Sequence, residues 1–475
     1  MQGALEGFVR ATLSRHSLLM MAGAASAMFA AQSALAEERT KPTRDETEAA
    51  AAEADWAGDD TIIIADYRIS KANAVPVPSA LPVLALTDSS EAEGRSQTAP
   101  QPAPPAAASP KSKADPVKLV VSQYIDTIAS GSADGAARYS GRADAYINLP
   151  GSSFGLDDSW TLKVRPEFRW GVDSNGLVGL IPNNTALFRP EGSENFDLSL
   201  SVKKTWQSGA NLEVGKINIL DKSGALPIVA SDGHFGFQNL GIALPPTAVL
   251  PNTLTGAMLE VPTKKVIYRL WVFDPDSQYN RTGFETAFEG GVGFLASAAA
   301  LTRFGGKPGV YNFAVVGSTR SGPATDILPT ALTPPPGGNF GDGKGELALQ
   351  LSGFQYLSLN KKARGKGIGI FARFQASLGD PTFLDYSGFV GISGNPANRP
   401  QDRFGFSIFQ YSLTDELVED LAPFLPLGDE RGVEAFYTVG FSQGFEFTMN
   451  AQWVDSAIAF REDGVLVGAR LTKVF

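Results

Sequence analysis

The stretch Trp160 to Gly171 reads WTLKVRPEFRWG and alternates between apolar and polar side chains. Because successive side chains of a β-strand point to opposite faces, this pattern predicts a strand with one apolar and one charged face. The apolar face carries Trp160, Leu162, Val164, Phe168 and Trp170. The charged face carries Thr161, Lys163, Arg165, Glu167 and Arg169. A tryptophan stands at each end of the apolar row, where a membrane strand leaves hydrocarbon for the lipid headgroups.

The charged face of this strand decides where its side chains should point. A Lys or Arg at the midplane of a lipid-facing surface costs about 2–4 kcal/mol, and this strand carries three of them. We therefore expect these side chains to line an aqueous interior. The stretch predicts an all-β fold, a transmembrane antiparallel β-barrel whose polar lumen is the functional site. A half-buried strand of a soluble sandwich or solenoid would alternate in the same way.

The composition fits one large barrel plus an extension, and it limits the chemistry. The chain has 475 residues with 50 glycines, 30 phenylalanines and 19% charged residues, which suits tight turns and aromatic membrane strands. It has no cysteine and two histidines, His16 and His234, so thiolate or histidine-rich metal sites are excluded and no cofactor is expected. The net charge of −10 lies largely in the N-terminal part, which leaves no basic surface for nucleic acid.

The first 136 residues divide into a targeting segment and an extension. In residues 1–36, two arginines precede an apolar run that ends at Ala34-Leu35-Ala36, the pattern of a cleaved secretory signal peptide. Residues 37–136 are rich in Ala, Pro and acidic side chains, and we expect this low-complexity extension to be disordered. Within it, Asp115 to Ala129 has apolar residues at helical spacing and predicts a short helix. No later stretch has 18 continuous apolar residues, so no transmembrane helix is predicted.

Residues 137–475 show the patterning of barrel strands up to the last residue. Gly141 to Leu149 is predicted as the first barrel strand. The final strand ends at Phe475, and a terminal aromatic on an amphipathic strand is the signal that the outer-membrane assembly machinery recognises. The Gly- and Pro-rich stretches Asp221 to Pro251 and Ser321 to Gly345 are predicted as outward loops.

The C-terminal third resembles a known protein family. Lys366 to Pro381 reads KGIGIFARFQASLGDP, and Gly394 to Phe409 reads GNPANRPQDRFGFSIF. Together with YSGRAD at Tyr139 to Asp144, these stretches resemble the OprB-type carbohydrate-selective porins of the bacterial outer membrane over residues 138–475. The resemblance implies a barrel of about 16 strands that passes sugars such as glucose by diffusion. It supplies no short motif from which individual sugar ligands could be transferred.

Alternation assigns a set of polar side chains to the inner wall of the barrel. A sugar pore should offer mixed donors and acceptors, because a ring of one charge sign selects ions. The same side chains could instead pair with one another and stiffen the wall. None is expected to be catalytic. The predicted pore-lining residues are Arg142, Asp144, Lys163, Arg165, Glu167, Arg169, Arg373, Gln375, Glu446 and Asn450.

We therefore predict an outer-membrane porin that passes mono- or disaccharides passively, with outer-membrane lipid and the barrel assembly machinery as further partners. An anion-preferring or general small-solute porin is the first alternative. It requires a positive constriction formed by Arg142, Arg165, Arg169 and Arg373. An outer-membrane hydrolase would depend on His234, the one histidine expected in the mature chain. A secreted adhesion or structural β protein is the third alternative, and a requirement for detergent extraction would exclude it.

Overall fold

The computed structural model describes residues 117–187, 195–219, 233–243, 253–276, 286–322, 338–360, 363 and 365–475. Within these ranges, 16 strands form one closed antiparallel barrel, in which each strand pairs with its sequence neighbours and the last strand pairs with the first. This confirms the predicted fold class. The strands are β1 (Val117–Ser130), β2 (Ala137–Pro150), β3 (Trp160–Gly171), β4 (Phe196–Thr205), β5 (Asn211–Asn218), β6 (Thr253–Pro262), β7 (Val266–Phe273), β8 (Gly293–Phe304), β9 (Lys307–Ser321), β10 (Lys344–Leu359), β11 (Gly367–Gly379), β12 (Leu384–Gly394), β13 (Arg403–Leu413), β14 (Glu430–Gly440), β15 (Phe445–Asp455) and β16 (Gly464–Val474).

The first strand corrects the sequence prediction for the region before the barrel. The helix predicted for Asp115 to Ala129 is wrong, because Val117–Ser130 form β1. In this strand Val120 is paired with Asp144 of β2 on one side and with Val474 of β16 on the other, so β1 closes the barrel. The barrel therefore begins at residue 117 rather than 137, and the strand predicted as the first is part of the second.

Alternation places the side chains of β3 on the faces that the sequence predicts. Arg165, Glu167 and Arg169 are buried inside the barrel, whereas Phe168 is 49% exposed on the outer face. Along β16 the buried and exposed residues also alternate, with Arg470 on the inner face. The apolar outer surface and the polar inner surface are those of a transmembrane β-barrel.

The two ends of the barrel differ in the length of their connections. At one end, β8 and β9 are joined by Gly305 and Gly306 alone, whose φ angles of 56° and 75° suit a tight hairpin turn that favours glycine. At the other end the connections are longer and include the helices α1 (Leu240–Ala243) and α2 (Asp415–Leu421). Short turns face the periplasm in outer-membrane barrels, so the end with the β8–β9 turn is the periplasmic end and the end with the longer connections is the extracellular end. Further 3-10 helices span Gly151–Phe154, Thr185–Leu187 and Ser442–Gly444.

Two parts of the long connections fold into the lumen. Residues 174–187 follow β3 and residues 233–243 follow β5, and nearly all of their side chains are buried. We call them the first and the second inward segment. They are bonded to each other, since the backbone N–H of Thr185 donates to the carbonyl of Gln238 at 2.9 Å. The second segment corrects the outward direction predicted for Asp221 to Pro251, of which it is the described part.

An aromatic cluster packs the second inward segment against the inner wall at β11 and β14. The ring of Phe237 lies edge-on to Phe436 of β14 and to Phe371 of β11, with ring centroids 4.9 and 5.6 Å apart. Such T-shaped contacts are the favoured arrangement of aromatic pairs. Phe237 is completely buried, so this part of the interior is packed with side chains rather than filled with water.

Residues 1–116, with the predicted signal peptide and most of the predicted disordered extension, lie outside the described residues. The signal peptide over residues 1–36 and the disorder of the extension therefore stay predictions. Among the residues that the structure describes, no helix combines the length and the apolar character needed to cross a membrane.

Candidate functional site in the barrel lumen

The inner wall of β2 and β3 carries a compact network of opposite charges. Arg165 Nη2 donates to Asp144 Oδ2 at 3.1 Å and to Glu167 Oε2 at 3.3 Å. Arg142 Nη2 donates to Asp144 Oδ2 at 3.2 Å, and Glu167 also pairs with both Arg142 and Arg169. We call these five residues the β2–β3 ion network. Sequence alternation placed all five on the inner wall, and the structure brings them together.

The β2–β3 ion network lies inside the barrel but is shielded from water. Arg142, Asp144 and Arg169 have no exposed surface, and Glu167 and Arg165 are 2% and 5% exposed. The first inward segment lies over the network, because Arg142 Nη1 donates to the carbonyl of Ala186 at 2.8 Å. For these residues the geometry favours mutual pairing, which stiffens the wall, over direct contact with a solute.

Opposite charges also balance one another along the neighbouring strands. Lys163 of β3 is 27% exposed, and its Nζ lies 2.8 Å from Glu213 Oε1 of β5. Lys216 Nζ lies 2.7 Å from Asp197 Oδ1 of β4, and both side chains are buried. Gly215, which precedes Lys216, has a φ angle of 139°, a backbone conformation that residues with a side chain rarely adopt. This part of the wall therefore presents charges of both signs side by side.

Arg373 and Gln375 lie on the inner face of β11, on a different part of the wall from the ion network. Arg373 is half-buried, Gln375 has no exposed surface, and Arg373 Nη2 donates to Gln375 Oε1 at 3.3 Å. The four arginines considered for a positive constriction thus do not form one exposed ring. Arg142, Arg165 and Arg169 are paired and covered, and only Arg373 borders open space.

Glu446 and Asn450 both point inward from β15, but their partners differ. Glu446 Oε2 accepts a hydrogen bond from Arg403 Nη2 at 2.8 Å near the short-turn end, and both side chains are about a tenth exposed. Asn450 donates to Glu434 of β14 and accepts from Gln452 Nε2 at 3.0 Å. Asn450 is 3% exposed, so it braces a carboxylate instead of facing an open channel.

Two buried carboxylates of β14 hold the inward segments, and the sequence did not identify this role. The two carboxylate oxygens of Glu434 accept from the backbone N–H groups of Gln238–Asn239 at 2.7 and 2.8 Å. Those of Glu430 accept from the backbone N–H groups of Leu180–Ile181 at 2.5 and 3.1 Å. Alternation along β14 would have placed both carboxylates inside. Their partners, however, lie about 200 residues or more earlier in the chain, and no local pattern links them.

Arg461, in the connection between β15 and β16, is hydrogen-bonded to the first inward segment. It donates to the carbonyl of Gly179 at 2.8 Å and to that of Gly176. Burial lowers the pKa of Arg461 to about 10, so the guanidinium remains a cation at neutral pH. The first segment is therefore fixed by a wall carboxylate on one side and a loop cation on the other.

His234 is completely buried in the second inward segment. Its Nδ1 contacts Ser122 Oγ of β1, which also lies 2.8 Å from Thr472 Oγ1 of β16. A general base must reach its substrate, and this ring is closed off from solvent by the segment that carries it. Among the described residues, no group of three or more His, Cys, Asp or Glu could hold a metal ion.

Comparison with one solved structure shows the same kind of barrel, and two further structures are less similar. A high-pH structure of Pseudomonas putida OprB is 17% identical over 76% of this chain and 94% of that chain, with a TM-score of 0.61, a likeness that shows the fold. Pseudomonas aeruginosa OccK11 (OpdR) is 10% identical over 76% and 95%, with a TM-score of 0.41. A mutant of the Rh. blastica porin is 8% identical over 76% and 99%, with a TM-score of 0.44. No curated protein matches this chain.

The family comparison covers most of the barrel. The model described as "Carbohydrate-selective porin, OprB family" matches residues 138–475, from the second residue of β2 to the end of the chain. Strand β1 precedes the matched region and completes the barrel. The family and the fold indicate an outer-membrane channel rather than an enzyme. With its closed 16-strand barrel and a polar inner wall, this chain belongs to the OprB family of carbohydrate-selective porins.

Proposed function

We propose that the barrel passes uncharged sugars such as glucose down their concentration gradient, without an energy source. The observation that carries this proposal is the pairing of the inward arginines. Arg142, Arg165 and Arg169 share Asp144 and Glu167 and are shielded by the first inward segment. A pore that selects anions needs like charges that face the same water column. The network is covered and each of its arginines is paired with a carboxylate, which instead supports passage of neutral solutes.

The more exposed part of the inner wall also supports a neutral solute. Arg269 Nε of β7 lies 2.8 Å from Glu260 Oε2 of β6, and these two side chains are 28% and 25% exposed. Lys163 is similarly open and lies beside Glu213. A sugar that passes such pairs meets donors and acceptors that replace its hydrogen bonds to water, while an ion of either sign meets both attraction and repulsion.

We propose further that residues 1–36 direct export and are removed before Glu37. We also propose that β16, together with the exposed Phe475 that follows it, presents the chain to the assembly machinery. The exposed apolar side chains of the outer face would then contact outer-membrane lipid. N-terminal sequencing of the protein from purified outer membranes tests the first part of this proposal. A mature chain that starts at Glu37 is expected, and a chain that starts at Met1 would contradict it.

The first experiment is the swelling of liposomes that contain the detergent-purified protein. Isotonic glucose, a disaccharide and gluconate are compared, and single-channel conductance in KCl is recorded on the same sample. We expect rapid entry of glucose, slower entry of the disaccharide and no preference for gluconate. Preferential entry of gluconate would overturn the proposal in favour of an anion-preferring porin. No entry of any solute would overturn the diffusion function altogether.

A further inference from the structure

Three neighbouring strands carry a patch of neutral polar side chains at mid-height of the inner wall. Ser352 of β10 is paired with Asn312 of β9 on one side and with Arg373 of β11 on the other. Two residues along β10, Gln350 is paired with Gln375 of β11. We call these five residues the β9–β11 patch. Its two rows lie about 7 Å apart along the strands, and directly paired side chains on one face of a sheet are neighbours.

The residues of the β9–β11 patch combine access to the lumen with weak mutual contacts. Asn312, Gln350, Ser352 and Arg373 are half-buried rather than covered. Asn312 Nδ2 and Gln350 Nε2 each lie 3.5 Å from Ser352 Oγ, which is the limit of a hydrogen bond. Bonds of this length are readily exchanged for a better partner. The patch is therefore not held together as the β2–β3 ion network is.

Two polar atoms of the patch have no hydrogen-bond partner among the described residues. They are the acceptor Asn312 Oδ1 and the donor Gln375 Nε2, and Gln375 has no exposed surface. A buried polar atom without a partner costs about 1–3 kcal/mol, so such groups usually have a ligand or water. Since a hydroxyl both donates and accepts, one polyol can satisfy an orphaned acceptor and an orphaned donor together.

We propose that the β9–β11 patch is a binding subsite for a neutral hexose on its way through the barrel, an inference that rests on the proposed sugar-diffusion function. In the empty barrel Gln375 Nε2 and Asn312 Oδ1 are both covered, so a sugar reaches them when the 3.5 Å contacts at Ser352 Oγ open. Gln375 Nε2 then donates to one sugar hydroxyl, and Asn312 Oδ1 accepts from another. The Arg373 guanidinium has several N–H donors on one planar fork and binds two adjacent hydroxyls. Gln350 and Ser352 lie between these groups and contribute further donors and acceptors to the ring.

The position of the patch explains why the subsite lies here and not on the ion network. The hydrogen bonds that hold the inward segments run to β1, β2 and β14–β16, as with Asp126, Arg142 and Glu434. Those strands make the polar contacts that fix the inward segments, whereas β11 contributes an apolar contact through Phe371. The β9–β11 patch lies on another part of the wall, where half-buried amides and a hydroxyl face the lumen.

The test is a titration of the open channel with glucose in planar bilayers. Bound glucose obstructs ion flow, so the KCl conductance of the wild-type protein should fall to a plateau with a measurable half-saturation concentration. Asn312→Leu and Gln375→Met keep similar side-chain size but remove one hydrogen-bonding group each. We expect each substitution to raise the half-saturation concentration about 2- to 10-fold, the effect of one lost hydrogen bond. The block is measured relative to each protein's own conductance without sugar.

Asn148→Leu is the matched control, since Asn148 is a half-buried amide on the inner face of β2, outside the patch. The proposal is supported if Asn312→Leu or Gln375→Met weakens the block while Asn148→Leu leaves it unchanged. The subsite is overturned if glucose enters liposomes but does not block the conductance saturably. It is also overturned if the half-saturation concentration of glucose is equal in the wild type and all three variants. Either result leaves the proposed sugar diffusion unaffected. Absence of glucose entry in the wild type overturns the proposed function itself. Loss of heat-modifiable mobility on a gel identifies any variant that has not folded. If one patch variant does not fold, the half-saturation concentration of the other patch variant tests the subsite.

Discussion

The carboxylate of Asp402 shows how one side chain fixes a periplasmic turn to the barrel wall. It accepts hydrogen bonds from Arg399 Nε at 2.6 Å, from Tyr437 Oη at 2.8 Å and from the backbone N–H of Gly440 at 3.1 Å. The hydrogen bond from Arg399 is the main reason that the pKa of Asp402 is lowered. The ionised carboxylate is therefore favoured in the folded state and stabilises it.

We expect Asp402→Asn to lower the midpoint of thermal unfolding by a few degrees at pH 7, because the amide turns N–H groups toward Arg399. A carboxyl with a lowered folded-state pKa stabilises fully above its unfolded-state pKa of about 4 and loses that contribution as the pH falls through the folded-state value. The difference from the wild type should therefore shrink at pH 3. Circular dichroism melts in detergent measure it, with the exposed Asp158→Asn as control. A difference that grows on acidification would contradict this account.

Glu167 is the carboxylate on which the charge balance of the β2–β3 ion network depends most. It pairs with Arg142, Arg165 and Arg169, so Glu167→Gln leaves three arginines with Asp144. One added positive charge on the inner wall should raise the Cl⁻/K⁺ permeability ratio about two- to five-fold. Breaking a buried ion pair also costs about 3–5 kcal/mol of folding stability. Reversal potentials in a KCl gradient measure the selectivity.

The control for this substitution is Asp455→Asn, which removes the same charge from a position where Asp455 pairs with the exposed Arg431 on the outer side of the barrel. Its reversal potential should equal that of the wild type. An equal shift in both variants would mean that the net charge of the protein, and not the lumen network, sets ion selectivity.

Residue types and their alternation were sufficient to place the ten predicted side chains on the inner wall, because the period of a strand fixes the face. They were not sufficient to show which of these side chains contact water. Arg142 and Arg373 occupy equivalent inward positions in their strands, yet Arg142 is fully covered and Arg373 is half-buried. The difference comes from the first inward segment, which lies over one strand and not the other.

At the level of elements, β1 shows why a short apolar pattern can be misread. Val117, Val120, Val121 and Ile125 fall at helical spacing, and this favoured a helix. The same stretch also alternates, since Val120, Ser122 and Tyr124 are buried while Ile125 is 57% exposed. The strand prevails because both of its edges find partners, in β2 and β16, and such pairing cannot be seen within the segment.

The inward segments could not be predicted for a related reason. Residues 174–187 and 233–243 are rich in Gly and Asn and have no helical or strand period, so they have the composition of a surface loop. Their direction is determined by distant groups. Glu430 and Glu434 supply buried acceptors for backbone N–H groups that would otherwise require water.

We expect Glu434→Ala to release the second inward segment from the wall. The substitution removes acceptors for two backbone N–H groups, and each hydrogen bond to a charged acceptor contributes about 1.5–3 kcal/mol. Single-channel conductance should rise and its fluctuations should increase, because the segment no longer narrows the lumen in one fixed position. Planar-bilayer recording compares this variant with the wild type.

Arg431→Ala serves as the control for this element, because it removes a charged side chain from the outer side of the same strand. It should leave conductance and noise unchanged. Unaltered conductance in Glu434→Ala, together with retained heat-modifiable mobility, would show that the aromatic contacts of Phe237 are sufficient to hold the segment.

Considered as a whole, the molecule depends on closure of its sheet. Strand β1 provides hydrogen-bond partners for the facing edges of β2 and β16. Among the residues that the structure describes, it is the one strand that lies before the family-matched residues 138–475. Without β1, two strand edges would expose unpaired N–H and C=O groups to lipid, which a membrane-spanning barrel does not tolerate. The boundary between removable extension and barrel is therefore placed at about residue 117.

Two truncations test this boundary in the full export-competent chain. Deletion of residues 37–110 retains β1, and we expect a barrel with heat-modifiable gel mobility and wild-type glucose entry into liposomes. Deletion of residues 37–136 removes β1, and we expect loss of that mobility and of the protein from the outer-membrane fraction, because the sheet cannot close. Folded protein after the longer deletion would mean that β2 and β16 can pair directly. Loss of folding after the shorter one would assign the extension a role in assembly.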